Sequence, residues 1–237
     1  MIYKIAEVNV DMNTRYPRLL KQSEAYISDS TEAQMKIHLS DEFLEKCRKE
    51  NPHLTLDDCE YRWMGSEFYN NLPVFGGFML HASAVVHNQK AYLFSAPSGT
   101  GKSTHTQLWL KHFDDAYILN DDKPAIRVVG QDIYVYGTPW SGKNDCSRNE
   151  RVSLGGIAVV RRAKENSIRK LDTEEAVFVL LDQTARTISP IRIASRMDMI
   201  DKIVSTGKVY ELSCNMDISA AMLSYETMSG KRYCYED

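Results

Sequence analysis

Residues Ala96 to Ser103 read Ala-Pro-Ser-Gly-Thr-Gly-Lys-Ser, and the segments on either side decide how that stretch is read. Upstream, Ala91-Tyr92-Leu93-Phe94 is an apolar run of strand character. Downstream, Ser103 to Phe113 has the composition of a helix. A strand, a glycine-containing loop, Lys-Ser and a helix form the phosphate-binding P-loop arrangement. Gly99 and Gly101 let the backbone turn tightly and present its N–H groups. The helix that follows points its positive end at the loop. The anion-binding residues expected on this reading are Pro97, Ser98, Gly99, Thr100, Gly101, Lys102, Ser103 and Thr104. Lys102 reaches the β- and γ-phosphates, and the Ser103 hydroxyl holds Mg²⁺. The usual first glycine is replaced by the small residue Ala96.

A phosphate loop needs a partner carboxylate. Asp121 and Asp122 follow a short apolar run, Ala116 to Leu119, about twenty residues beyond Lys102. The end of a strand beside the loop is where a metal-positioning acid and a base for the acceptor hydroxyl belong. The competing reading of Asn120-Asp121-Asp122 before Lys123-Pro124 is an Asx turn.

Outward from this centre the chain reads as mixed α/β. Residues 1–75 form an N-terminal piece with a strand over Met1 to Val10. Its two helices run over Asp41 to Glu50, capped by Ser40, and Leu56 to Tyr69, opened by Thr55. Residues 76–237 are expected to carry the catalytic unit. Phe78 to Val86 and Lys90 to Phe94 form a hairpin around His87-Asn88-Gln89, and Ala125 to Val129 and Asp132 to Tyr136 form another around Gly130-Gln131. Gly156 to Arg161 is a strand. Helices follow over Thr173 to Asp182 and Ala194 to Thr206, then a strand over Lys208 to Leu212 and a helix over Ile218 to Met228.

Composition narrows the partners. The chain has 237 residues, 43% hydrophobic and 26% charged, with a net charge of −3, so no global basic field draws nucleic acid. No apolar run approaches the ~20 residues of a membrane span, and the N-terminus lacks a signal-peptide core, so cytoplasmic residence is expected. The five cysteines are odd in number and without a Cys-x-x-Cys pair, which suits reduced thiols better than a disulfide framework or a zinc site.

His81-Ala82-Ser83, the hairpin, Ser95 to Ser103 and Ile118-Leu119-Asn120-Asp121-Asp122 together resemble the catalytic domain of HPr kinase/phosphorylase. They are also similar to the smaller serine kinases of that superfamily found in ribosomal peptide pathways. The resemblance covers about residues 78 to 162. It implies an α/β fold with a mixed sheet, shared with phosphoenolpyruvate carboxykinase, and transfer of the γ-phosphoryl of ATP to a hydroxyl. The acceptor would be a serine of a peptide or protein, or a small molecule, with Mg²⁺ or Mn²⁺ as the ion. The family's functional positions fall on His81, Lys102, Ser103, Asp121 and Asp122. Asp121 is read as the base, with His81 pairing with it and Lys102 on the phosphates, and Ser103 and Asp122 as metal ligands, but the division of work between the two acids stays open in the sequence. A homo-oligomer is carried over as an expectation.

Acceptor contacts are expected from Trp140 and Lys143 in the loop Gly137 to Lys143, by stacking and charge, and from Arg148 and Arg151 as a phosphate clamp. That loop holds no acid, where HPr kinases carry a glutamate-containing signature. Two further readings stay open at this point: a carboxykinase-like or phosphorylase enzyme, and a nucleotide-binding regulatory module without turnover.

Overall fold

The computed structural model describes residues 1–97, 100–142, 144–184 and 189–232. The order of elements is β1 (Ile2–Ile5), β2 (Val8–Met12), α1 (Pro17–Ser23), β3 (Met35–Ile37), α2 (Asp41–Glu50), α3 (Leu56–Asn71), β4 (Gly77–Met79), β5 (Ala82–His87), β6 (Lys90–Ser95), α4 (Lys102–His112), β7 (Tyr117–Asn120), β8 (Ala125–Val129), β9 (Asp132–Tyr136), β10 (Arg151–Arg162), β11 (Ser167–Lys170), α5 (Thr173–Asp182), α6 (Pro190–Ser205), β12 (Val209–Cys214) and α7 (Ser219–Ser229). Short 3₁₀ turns follow α1 and α3. Among the described residues, no helix is long and apolar enough to cross a membrane.

Two local expectations fail for identifiable reasons. The strand expected over Met1 to Val10 is a hairpin, because Ala6 and Glu7 take left-handed φ of +49° and +61°. The alternation of apolar residues runs through the turn and conceals it. The run Phe78 to Val86 breaks at Leu80-His81, and its halves serve different partners: β4 pairs with β8, and β5 with β6 and β7.

The larger sheet is mixed, with β4, β8, β9, β10, β6, β5 and β7 in that order and β11–β12 added at β10. Strand β10 is long enough to pair twice along one edge. Arg151 to Ser153 meet β9 antiparallel, and Ile157 to Arg162 meet β12 in parallel. Its opposite edge runs parallel to β6 with a bulge between Leu154 and Gly156. Gly155 sits there because a Cβ would lie 2.7 Å from the Tyr92 ring.

Helices cover both faces, so successive strand residues are buried in opposite directions. Ala91 and Leu93 of β6 pack with Leu180, Ile200 and Ile203 of α5 and α6. Tyr92 and Phe94 pack with Trp109, Phe113 and Tyr225 of α4 and α7. A third core joins the small sheet and α3 to Ala125, Tyr136 and Trp140. Strand directions settle where function can sit. Since β6, β10 and β12 run parallel, and β5 is antiparallel to both β6 and β7, the carboxyl ends of β6, β7, β10 and β12 meet along one rim with the start of β5.

Beneath that rim lies a buried polar knot. Trp109 Nε1 donates to His105 Nε2 at 3.3 Å and to Ser224 Oγ at 3.1 Å. Burial pushes the His105 imidazole down to about 4, from an ordinary 6.5, so the ring is neutral in the native protein. The unfolded chain binds a proton through the window from 6.5 to 4 that the native chain does not, so stability falls as pH falls through it. The expected loss is roughly 3 kcal/mol, at ~1.4 kcal/mol per pH unit. Urea unfolding at a series of pH values should show this slope in the wild type and a flatter one in His105→Gln.

Candidate active site

Three strand ends bring the acids and the Gly-Lys-Ser loop together. Asp121 directly follows β7, and its backbone N–H donates to the Cys146 carbonyl at 3.1 Å. Its Oδ1 accepts from Ser103 Oγ at 3.0 Å and from Ser83 Oγ at 2.6 Å. Ser83, buried on β5, also contacts Thr106 Oγ1 of α4 at 3.0 Å. Asn144 Nδ2 reaches Asp121 Oδ2 at 3.4 Å. Asp122 turns the other way, with His81 Nε2 at 3.4 Å from Oδ1 and Lys123 Nζ at 3.0 Å from Oδ2.

The division between the acids, open in the sequence, is drawn by geometry: His81 pairs with Asp122 rather than Asp121, and Ser103 with Asp121 rather than Asp122. The cause is the turn itself. Asn120 Oδ1 accepts the backbone N–H of both Asp122 (3.0 Å) and Lys123 (2.7 Å), which forms an Asx turn and directs the two acids apart. The Asx reading and the paired-acid geometry thus coexist. Burial alone would raise the Asp122 carboxyl, but the His81 hydrogen bond and the Lys123 ammonium outweigh it and hold the acid below the ordinary aspartate range. His81 is itself fixed through its backbone. Its N–H donates to Gln183 O at 2.8 Å and its carbonyl accepts from Ser95 Oγ at 2.8 Å.

Gly101, at φ +123°, opens α4, whose first turn carries neither a side-chain cap nor an acid. The Thr100 N–H donates to Pro97 O at 3.2 Å. Lys102 is folded back, with Nζ donating to the Ala96 carbonyl at 2.8 Å. Burial lowers the Lys102 ammonium below the ordinary lysine value, while Asp122 and Asp121 pull it up. Ala96 is fully buried in the α4–α7 core, which accounts for a methyl where a glycine is usual. Thr104 is exposed beside the loop. Ser98 and Gly99 lie outside the described residues, as does Lys143. Among the described residues, no group of three or more His, Cys, Asp or Glu side chains could hold a metal ion.

Trp140 does not face an acceptor. It is 1% exposed, stacks on Phe68 at 5.1 Å and donates from Nε1 to the Tyr61 carbonyl at 3.0 Å. Its apolar ring finds more surface in the α3 core than the loop could offer in solvent. Arg148 and Arg151 do not form a clamp at the acids. Arg148 lies over Tyr117, at the far end of β7 from Asp121, and Arg151 lies over Tyr134 with Glu7 Oε1 at 2.8 Å.

The loop's other face is gripped by the N-terminal segment. The Gly142 N–H donates to Tyr61 Oη at 3.2 Å, and the Gly142 carbonyl accepts from Arg18 Nη2 at 3.1 Å and Gln22 Nε2 at 3.4 Å. Gly142 has φ +78°, and a Cβ there would lie 3.1 Å from the Asp122 Cβ. Ser83 stands within the quoted His81-Ala82-Ser83 stretch, two residues beyond His81 and inside β5. Tyr61, Arg18, Lys123 and Asn144 carried no signal, since their roles arise from contacts across the fold.

No protein-family model and no curated protein matches the chain. Among solved structures, the HPr(Ser) kinase/phosphatase from Coxiella burnetii aligns with a TM-score of 0.27 and 11% sequence identity, over 54% of this chain and 94% of that one. At that TM-score the overlap says nothing about activity, and the case for function rests on the residues themselves.

Proposed function

We propose that this chain is a P-loop kinase that moves the γ-phosphoryl group of a nucleoside triphosphate, with ATP the expected donor, to an alcohol such as a serine hydroxyl. The observation that carries this reading is the 3.0 Å contact between Ser103 Oγ and Asp121 Oδ1, which joins the Gly-Lys-Ser loop to the acidic pair. A bare anion-binding loop would need only the first of these elements.

The donor set suits Mg²⁺, a hard cation that takes one or two carboxylates together with substrate phosphates. Ser103 and Asp121 would hold it, and when bound it supplies charge neutralisation on the β- and γ-oxygens. Lys102 would leave the Ala96 carbonyl for the same oxygens, and the uncapped first turn of α4 would add its N–H groups. Asp122, kept ionised by His81 and Lys123, would accept the acceptor's proton. The acceptor oxygen forms a bond to the γ-phosphorus as the β–γ bridging bond breaks, and its electron pair leaves on the nucleoside diphosphate.

Incubation with Mg-ATP and serine-bearing peptides, followed by mass spectrometry and phosphorus NMR, tests the proposal. A phosphoester adduct is the expected product. Pyrophosphate, a carboxylated product, or unchanged nucleotide with every acceptor would count against it.

A further inference from the structure

The rim of the sheet has a second half that the acids do not use. Strand β6 feeds the Gly-Lys-Ser loop from the middle. The acids lie two strands away at β7, and β10 and β12 lie on the opposite side. There, at the carboxyl ends of β10 and β12, is a cleft of about 410 Å³, within the ~300–1,000 Å³ typical of small-molecule pockets. Its near wall is Gly101 and Thr104, so it is continuous with the loop. Its other walls are largely apolar, from Leu108 one helical turn beyond Thr104, Val160 at the end of β10, and Met216 beyond β12. Arg162 ties the two sides together by donating from Nε to the Thr100 carbonyl at 3.0 Å.

Two polar side chains at the inner wall of this cleft, Asn215 and His105, are already engaged. Asn215 Nδ2 donates to Lys164 O at 2.9 Å, and its Oδ1 accepts the Asp217 N–H at 2.9 Å. His105 is occupied on one nitrogen by Trp109 and Ser224 and faces Cys214 Sγ at 3.9 Å on the other. Base selectivity requires buried polar groups that go unpaired with the wrong ligand, and these groups are spoken for.

We propose that this cleft receives the base and ribose of the phosphoryl donor by apolar contact, with little discrimination between adenine and guanine. A triphosphate whose terminal phosphate lies toward Asp121 leaves the loop on the β10 side, and two strand spacings, about 10 Å, bring the nucleoside over the cleft. The inference rests on the kinase reading and adds the donor's binding mode to it.

Calorimetric titration in Mg²⁺ with ATP, GTP and inorganic tripolyphosphate separates the two. The wild type should bind ATP and GTP within about threefold of each other, and both at least ~10-fold tighter than tripolyphosphate. Met216→Asp, at an exposed position, and Ala163→Trp, at the cleft wall, should abolish that preference and leave tripolyphosphate binding unchanged. If tripolyphosphate binds as tightly as ATP, or the variants weaken all three alike, the cleft assignment falls while the anion cradle stands. A preference above ~30-fold for one base overturns recognition by apolar contact. Failure of all three ligands to bind removes the cleft assignment and the kinase reading together.

Discussion

Lys102→Ala or Asp121→Asn should lower phosphoryl transfer from γ-labelled ATP by at least ~100-fold, the scale on which one preorganised charge contact is lost. One variant strikes the loop at the end of β6 and the other the acidic pair at β7. Lys102→Ala removes the ammonium proposed to move from the Ala96 carbonyl onto the β–γ oxygens. Asp121→Asn removes the anion that Ser103 and Ser83 are both turned to meet. Near-wild-type turnover in either variant would defeat the assignment. Stability should move oppositely in a third variant. Burial lowers the Lys102 ammonium, so the unfolded chain holds that proton more firmly and native stability rises with pH toward the ordinary lysine value of 10.5. Lys102→Met removes the desolvation cost, so its melting temperature should equal or exceed the wild type while transfer is lost. A clear fall in melting temperature would mean that Lys102 is chiefly structural.

Trp140→Ala should cost about 3–5 kcal/mol in urea unfolding, the range for deleting a large buried aromatic side chain. The ring lies with its centroid 5.1 Å from Phe68 and 5.4 Å from Tyr69, so its loss opens a cavity in the core that joins α3 to the loop beginning at Gly137. Gly65 shows how tight the seat is: a Cβ there would lie 2.7 Å from Trp140 Nε1. Trp140→Phe should fall between wild type and alanine, since it keeps an apolar ring and gives up only the indole hydrogen bond to Tyr61, whose carbonyl keeps its place in helix α3. A cost below about 1 kcal/mol for alanine would mean that the loop stands free of the N-terminal core.

Local chemistry was the most legible part of the chain. Helices α2 and α5 begin where expected because Ser40 and Asp172 cap their N-termini. The β8–β9 hairpin also follows directly from Gly130-Gln131 between two apolar runs. Strand β10 was half missed, since Gly155-Gly156 reads as an end until Tyr92 is seen to need the space above it. Strand β11 has no signal in the sequence: Ser-Ile-Arg-Lys lacks apolar alternation, and pairing with β12 creates the strand. The roles of the acids depended on which way two adjacent side chains leave an Asx turn, which spacing does not encode. Trp140 reads as a surface contact because it is an aromatic in a Gly/Pro-rich loop, and only α3, contributed by a distant segment, supplies the cavity for it.

That cavity has a consequence in time. The walls that receive the indole, Phe68 and Tyr69, leave the ribosome some seventy residues before Trp140 does. At ~5–20 residues per second, the nascent chain carries an unfilled aromatic hollow for roughly 4–14 s. Through that interval the segment that carries α3 waits for the middle of its own chain.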